Sequence, residues 1–230
     1  MFKQLREDIA CVKSRDPAAR SFFEIYFLYP GLKAIRLHRL ANKFYNKKLY
    51  FLARWVSQRA SRKTGIEIHP AATIGKRFFI DHGTGVVIGE TAIIGDDVTI
   101  YQGVTLGGTG KEQGKRHPTL GNNVMVSAGA KVLGSFTIGD NCKIGAGSVV
   151  LEEVPPNCTV VGIPGRIVRR NNSNVPQDLL DHANLPDPIQ DEIGCLEINE
   201  AELGKRVDVL EQQIEELKTL LAVTAGSTTN

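Results

Sequence analysis

A chain of 230 residues with 28 lysines and arginines against 25 acids, a net charge of +3 and 42% hydrophobic residues has room for one full core and a smaller second element. No apolar run reaches transmembrane length and no charged-then-apolar leader follows Met1, so a soluble cytoplasmic protein with no membrane role is expected. Cys11, Cys142, Cys158 and Cys195 lie far apart and form no CxxC pair, which favours reduced thiols over disulfides or a zinc site.

Residues 1–66 read as a helical region. Leu5, Ile9 and Val12 recur at helical spacing, and Asp16-Pro17 reads as an N-cap followed by an N1 proline. Pro30-Gly31 breaks the pattern, after which Leu32, Ile35, Leu37 and Leu40 predict a further helix. Leu49, Leu52, Trp55 and Val56 predict another, stopping near Gly65. Between Ile25 and Ile66 there are ten lysines and arginines and no acid. A nucleic-acid or membrane-surface role is one reading of that block, but no nucleic-acid-binding motif accompanies it, and a solvated helix face, or one facing acidic neighbours in an oligomer, is the favoured reading. His38 and His182 read as surface histidines.

From Ile68 to Val150 the chain repeats every six residues. An aliphatic side chain recurs at Ile68, Ile74 and Ile80, at Ile88, Ile94, Ile100 and Leu106, and from Leu120 through Val126, Val132, Ile138 and Ile144 to Val150. Neither a helix nor strand alternation has that period, so the unit is a short strand plus a turn, and three units close a triangular coil of about 18 residues. The aliphatic residue points inward, and Gly, Asn and Asp are expected at corners where φ is positive. The β-helix is expected over 67–168, closed by the proline-bearing segment VPPNCTVVGIPGRIV.

The repeat breaks twice. Ile80 and Ile88 are two residues too far apart, and Asp81-His82-Gly83-Thr84-Gly85 lies in that slack. Leu106 and Leu120 are eight too far apart, so the intervening segment must leave the coil as a loop, expected to carry Arg116 and His117 well away from its surface. A stacked solenoid needs neither break, which makes slack and loop the candidate site. Beyond it, 169–199 is rich in Asn, Asp and Pro and reads as a linker. In 200–223 the heptad spacing of Leu203, Val207, Leu210, Ile214, Leu217 and Leu221 predicts a parallel coiled-coil helix, three-stranded if the body is a trimer.

The six-residue pattern resembles the hexapeptide-repeat, left-handed parallel β-helix acyltransferases. The run EIHPAATIGKRFFIDHGTGVVIGETAIIGDDVTIYQGVTLGGTG, then KRHP, GAGSVV and VGIPGRIV, resembles the serine O-acetyltransferase family over roughly residues 10–170. The resemblance implies an α+β chain: an N-terminal helical region, a left-handed parallel β-helix and, here, a C-terminal coiled-coil helix. It implies acetyl transfer from acetyl-CoA, a co-substrate and not a resident cofactor, to L-serine in cysteine biosynthesis, with no metal. His82 matches the general base, a role suited to an imidazole near neutral pH. Glu67, fifteen residues earlier, matches its carboxylate partner, where many relatives have Asp. Arg116 matches the ligand of the serine carboxylate, Asp81 and Asp16 those of its ammonium group, and His117 a further substrate contact. Asp16 has a plain helix cap as its alternative reading, and His69 follows the family repeat as a structural residue. Gly108, Ala128 and Ala146 match positions where small residues let the pantetheine arm of acetyl-CoA approach the backbone, and Arg166 could meet the nucleotide phosphates.

Acetylation of another small hydroxyl compound and a non-catalytic scaffold remain alternatives. A zinc enzyme of this fold needs three histidines, and His69, His82 and His117 are the available trio, two of them with roles already implied. The resemblance also implies a homotrimer, a dimer of trimers as a further assembly, and feedback inhibition by L-cysteine. Many relatives insert a C-terminal Ile into O-acetylserine sulfhydrylase. This sequence ends Ser-Thr-Thr-Asn, so that complex is expected to be weak or absent.

Overall fold

A computed structural model describes residues 2–110 and 113–170, together with 193, 200, 202–207 and 210. The chain forms two compact units, 1–186 and 187–230. In the first, four helices precede the coil: α1 (Phe2–Arg15), α2 (Phe22–Leu28), α3 (Pro30–Asn46) and α4 (Tyr50–Thr64). No helix starts at Pro17. Asp16 instead caps a turn, its Oδ1 accepting the Ala18 N–H at 2.7 Å. The next helix opens at Ser21, whose side chain forms a reciprocal capping box with Glu24. Pro30 does not interrupt a helix but begins α3 at its first turn, where the missing N–H costs nothing. Gly65, at φ 71°, ends α4.

The helical faces differ from those read off the large residues. α3 buries Leu32, Ala34, Ile35, His38 and Ala41, while Leu40 faces outward. His38 is therefore a core residue, and its burial pushes its pKa down to about 4. α4 buries Ala53, Val56, Ser57, Ala60 and Thr64 and exposes Leu52 and Trp55, and Leu49 just before it is exposed as well. Small residues win that face because α4 lies close against the coil, near enough for the Ser57 hydroxyl to donate to the Ile68 carbonyl at 2.8 Å.

The coil has three parallel faces. The first stacks Glu67–Ile68, Val87–Ile88, Thr105–Gly107, Lys131–Leu133 and Val149–Val150. The second stacks Thr73–Ile74, Ile93–Ile94, Thr119–Leu120 and Thr137–Ile138, and the third Phe79–Ile80, Thr99–Ile100, Met125–Val126, Lys143–Ile144 and Thr159–Val161. Register is kept across both breaks: Ile68 pairs with Ile88, Ile88 with Leu106, and Ile94 with Leu120. The repeat aliphatics form one continuous core, which Ala34 and Ile35 of α3 join at one end. Each fully buried Ile or Leu contributes roughly 1.5–3 kcal/mol. At the other end Arg166–Arg169 turns back antiparallel on Thr159–Val161, so the coil stops adding parallel rungs.

The corners divide the work expected of Gly, Asn and Asp between two positions. At the corner from the second to the third face, positive φ falls on Arg77, Asp97, Asn123, Asn141 and Asn157. The glycines two positions before them, such as Gly75, Gly95, Gly121 and Gly139, do not have positive φ. They are needed because a Cβ would strike the next coil: at Gly139 it would stand 2.5 Å from the Pro156 nitrogen.

In the second unit residues 202–207 are helical, with Leu203, Val207 and Leu210 exposed. The other predicted seam residues, Ile214, Leu217 and Leu221, lie outside the described residues, as do His182 and most of 169–199. Among the described residues no helix is long and apolar enough to cross a membrane. Cys11, Cys142 and Cys158 are buried free thiols, and Cys195 lies outside the described residues.

Candidate active site

The slack in the repeat sits at the corner from the third face to the first. Asp81 leaves Ile80 with its N–H bonded to the Ile100 carbonyl at 2.9 Å, and its Oδ1 accepts the His82 N–H at 2.9 Å. His82 then takes φ 55°, a left-handed conformation uncommon outside glycine, and its side chain is exposed. Gly83, at φ 85°, must lack a side chain because a Cβ would stand 2.5 Å from Ile66 Cδ1.

Along the same corner runs a ladder of left-handed glycines: Gly65, Gly85, Gly103, Gly129 and Gly147, with φ of 71°, 76°, 71°, 72° and 68°. Backbone bonds of 2.8–2.9 Å join the rungs, from Gly103 to Thr84, Gly129 to Gln102 and Gly147 to Ala128. Ala128 and Ala146 each precede one of these glycines, so they share an edge with Asp81–His82. A Cβ on Gly147 would meet nothing within 4 Å, which leaves the edge open to a ligand lying along the backbone. Glu67 opens the first face at this corner and is half-buried. Its carboxylate and the His82 ring share no hydrogen bond among the described residues. Arg166 is exposed on the strand that closes the coil.

Asp16 approaches the coil from the helical region. Arg15 holds the end of α1 against the coil, donating to the Arg77 and Val98 carbonyls, the Thr99 hydroxyl at 2.9 Å and Asp97. On its other side Asp16 Oδ2 accepts the Tyr29 hydroxyl at 2.5 Å. Burial, the bond to Asp16 and the nearby charges of Glu24 and Asp81 push the Tyr29 pKa up, so Asp16 and Asp81 act on one hydroxyl.

The loop does not carry Arg116 and His117 away from the coil. It folds back onto the corner from the first face to the second, and His117 is buried there. Its ring occupies the space where Gly89 has no side chain, and Nδ1 lies 2.9 Å from the Thr91 hydroxyl and 3.2 Å from the Thr91 N–H. Thr91 Oγ1 also accepts the backbone N–H groups of Arg116 and His117, at 3.0 and 3.1 Å. Burial, and then the Arg116 charge, lower the His117 pKa, which keeps the ring neutral at pH 7. The Arg116 guanidinium pairs with Glu90 and holds that carboxyl below its usual range. Gly108 belongs to this corner too, directly beneath Arg116.

One chain thus gathers Asp81, His82, Glu67, Ala128 and Ala146 at one corner, with Asp16 linked toward it through Tyr29, and Arg116, His117 and Gly108 at another. Sequence reasoning missed Glu90 and Thr91, which stand in the repeat positions of Pro70 and Ala71 one coil earlier. The polar pair directly after Gly89 was a usable signal. Tyr29 and Arg15 carried none, because only the packing of α1 to α3 on the coil brings them to the site. Among the described residues no group of three His, Cys, Asp or Glu is arranged to hold a metal ion.

Fold and corner geometry define a hexapeptide-repeat transferase with a left-handed β-helix, and the profile of bacterial transferase hexapeptides (six repeats) matches residues 117–152. The serine acetyltransferase of Bacillus pumilus is 58% identical over 221 residues, 96% of this chain and 95% of that one. That of Bacillus subtilis is 57% identical, over 96% and 94%. Among solved structures, serine acetyltransferase of Brucella abortus in complex with coenzyme A aligns with a TM-score of 0.72 at 46% identity, over 74% of this chain and 68% of that one. The Neisseria gonorrhoeae enzyme in complex with serine aligns at 0.71 and 43%, over 73% and 69%. The chain belongs to the serine acetyltransferase family.

Proposed function

We propose that the chain is a serine O-acetyltransferase, moving the acetyl group of acetyl-CoA to the hydroxyl of L-serine and releasing O-acetyl-L-serine and CoA. The observation that carries this reading is the Asp81–His82 step on the glycine-laddered edge, in a chain similar to serine acetyltransferases along nearly its whole length. His82, exposed there, is the general base. It takes the hydroxyl proton as the serine oxygen attacks the thioester carbon. The C–O bond forms, the C–S bond breaks, and the imidazolium returns the proton to the departing sulfur. Glu67 offsets the imidazolium charge once the ring turns toward the first face.

Serine is a zwitterion, so Asp16 and Asp81 receive its ammonium group, Arg116 its carboxylate, and His117 lines the same subsite. The pantetheine arm lies along the ladder past Ala128 and Ala146, with Gly108 adding backbone contacts and Arg166 meeting the phosphates. The two groups of residues stand on different corners of one coil, so a complete site needs the first corner of one copy facing the second of another. A cyclic trimer supplies three such pairs, and a dimer of trimers is a further assembly of the same unit. L-Cysteine carries the same ammonium and carboxylate and occupies the serine subsite as a feedback inhibitor. The setting is the cytoplasm.

The test follows CoA release from acetyl-CoA with and without L-serine. Serine-dependent release is expected, and His82→Ala is expected to lower kcat by roughly 10²–10⁴-fold. A wild-type protein that releases no CoA with L-serine overturns the reading.

A further inference from the structure

The carboxylate assigned to the serine ammonium group, Asp16, stands in a turn between two helices, a poor place to hold a side chain still. Backbone contact fixes one of its oxygens, Oδ1, through the Ala18 N–H at 2.7 Å. Among the described residues the other accepts one bond, from the Tyr29 hydroxyl at 2.5 Å. Tyr29 is itself fixed with respect to the catalytic edge. It caps α3, and two residues on Gly31 lies against Ile80, so close that a Cβ would stand 3.0 Å from Ile80 Cβ. Ile80 is the residue before Asp81. Leu32 packs with Phe79 of the same strand in a cluster against which Tyr29 and Ala19 also rest. A short rigid path therefore runs from the strand that presents Asp81–His82, through the first turn of α3, to the hydroxyl that orients Asp16.

We infer that Tyr29 is a positioning residue, holding the Asp16 carboxylate against the Asp81–His82 edge and so setting the preference of the site for an acceptor with an α-ammonium group. The inference rests on the reading of the chain as a serine acetyltransferase. The raised Tyr29 pKa agrees with a hydroxyl that stays protonated and donates throughout the working range. Without that donor the carboxylate can rotate away from the edge, and the loss falls on ammonium recognition while acetyl-CoA binding and proton transfer at His82 are untouched.

The experiment compares Tyr29→Phe, Asp16→Asn and the double variant in the full chain, by steady-state kinetics in both substrates with the thermal midpoint as a folding control. Tyr29→Phe deletes one oxygen and is expected to raise the KM for L-serine about fivefold, the weight of one hydrogen bond. The acetyl-CoA KM stays within twofold, and kcat changes less than the serine KM (about twofold or less). The double variant is expected to be no worse than Asp16→Asn alone, because Tyr29 acts through Asp16. An unchanged serine KM in Tyr29→Phe, or a double variant that loses the product of the two single effects, overturns the inference while leaving the serine reading intact. A wild-type protein inactive toward L-serine removes that reading first. Should Tyr29→Phe lower the thermal midpoint, the cycle still decides, because coupling to Asp16 is read from the ratio of serine KM values.

Discussion

A Cβ at Gly95 would stand 2.5 Å from the carbonyl oxygen of Gly121, and one at Gly89 would enter the His117 ring. Both glycines follow a repeat aliphatic, yet the first serves the scaffold and the second the site. At Gly95 the missing side chain lets one coil lie on the next. At Gly89 it makes room for an imidazole from a loop that begins about twenty residues later. Gly89→Ala should therefore displace His117 from its place on Thr91 while the coils beneath keep their packing. The expected outcome is a rise of about tenfold in the serine KM, from an overpacking cost of roughly 1–3 kcal/mol taken up by the loop. Kinetics at varied serine would show it, and a thermal midpoint near the wild-type value would show that the coil survived. Neither glycine's purpose was legible from the repeat, which marks both positions alike.

Among the elements, α1 depends on the coil for its place. Its outer residues are polar apart from Ala10, its buried set is Ile9, Cys11 and Val12 with Asp8, and its last residue, Arg15, reaches across to the second-to-third corner. Arg77 and then Arg15 hold Asp97 below its ordinary carboxylate range, so ionised Asp97 favours the folded arrangement. The sign follows from the lowered folded value: the contribution is complete above the ordinary aspartate value of 3.8 and is lost as pH falls through the lower folded value. Arg15→Ala is expected to cost about 2 kcal/mol at neutral pH, mostly in the attachment of α1. Thermal midpoints of wild type and variant, compared between pH 7 and strongly acidic conditions, should draw closer in acid without meeting, because the bonds from Arg15 to the Arg77 and Val98 carbonyls and the Thr99 hydroxyl do not titrate. A gap that persisted unchanged would show that Asp97 is not what Arg15 grips. The variant should also lose serine affinity, since Asp16 follows Arg15 directly.

At the scale of the molecule the division of the site between two corners has a consequence that single variants do not reach. If His82 of one copy works with Arg116 of another, then His82→Ala and Arg116→Ala, each inactive alone, complement when co-expressed. Random assortment in a cyclic trimer leaves about a quarter of the sites with both native residues, so about a quarter of wild-type activity is expected. Activity no greater than the sum of the two separate variants would mean that each copy builds its own site.

The six-residue period was enough to read the triangular coil, the inward aliphatics and the two breaks, because a core shared by stacked strands leaves its period in the sequence at every rung. The motifs in those breaks carried the resemblance that implied the acceptor chemistry, since DHGTG and KRHP are local runs of residues that need no tertiary partner to be matched. The helical region was legible in its helices but not in their faces: α4 buries Ala53, Ala60 and Ser57 where close approach mattered more than size. The return of the loop onto Gly89 and Thr91, the ion pair of Arg116 with Glu90, and the Tyr29–Asp16 bond belong to the tertiary structure alone. Each joins residues separated by 13 to 28 positions with no period between them, and only the closing of the coil and the docking of α1 to α3 bring them within reach.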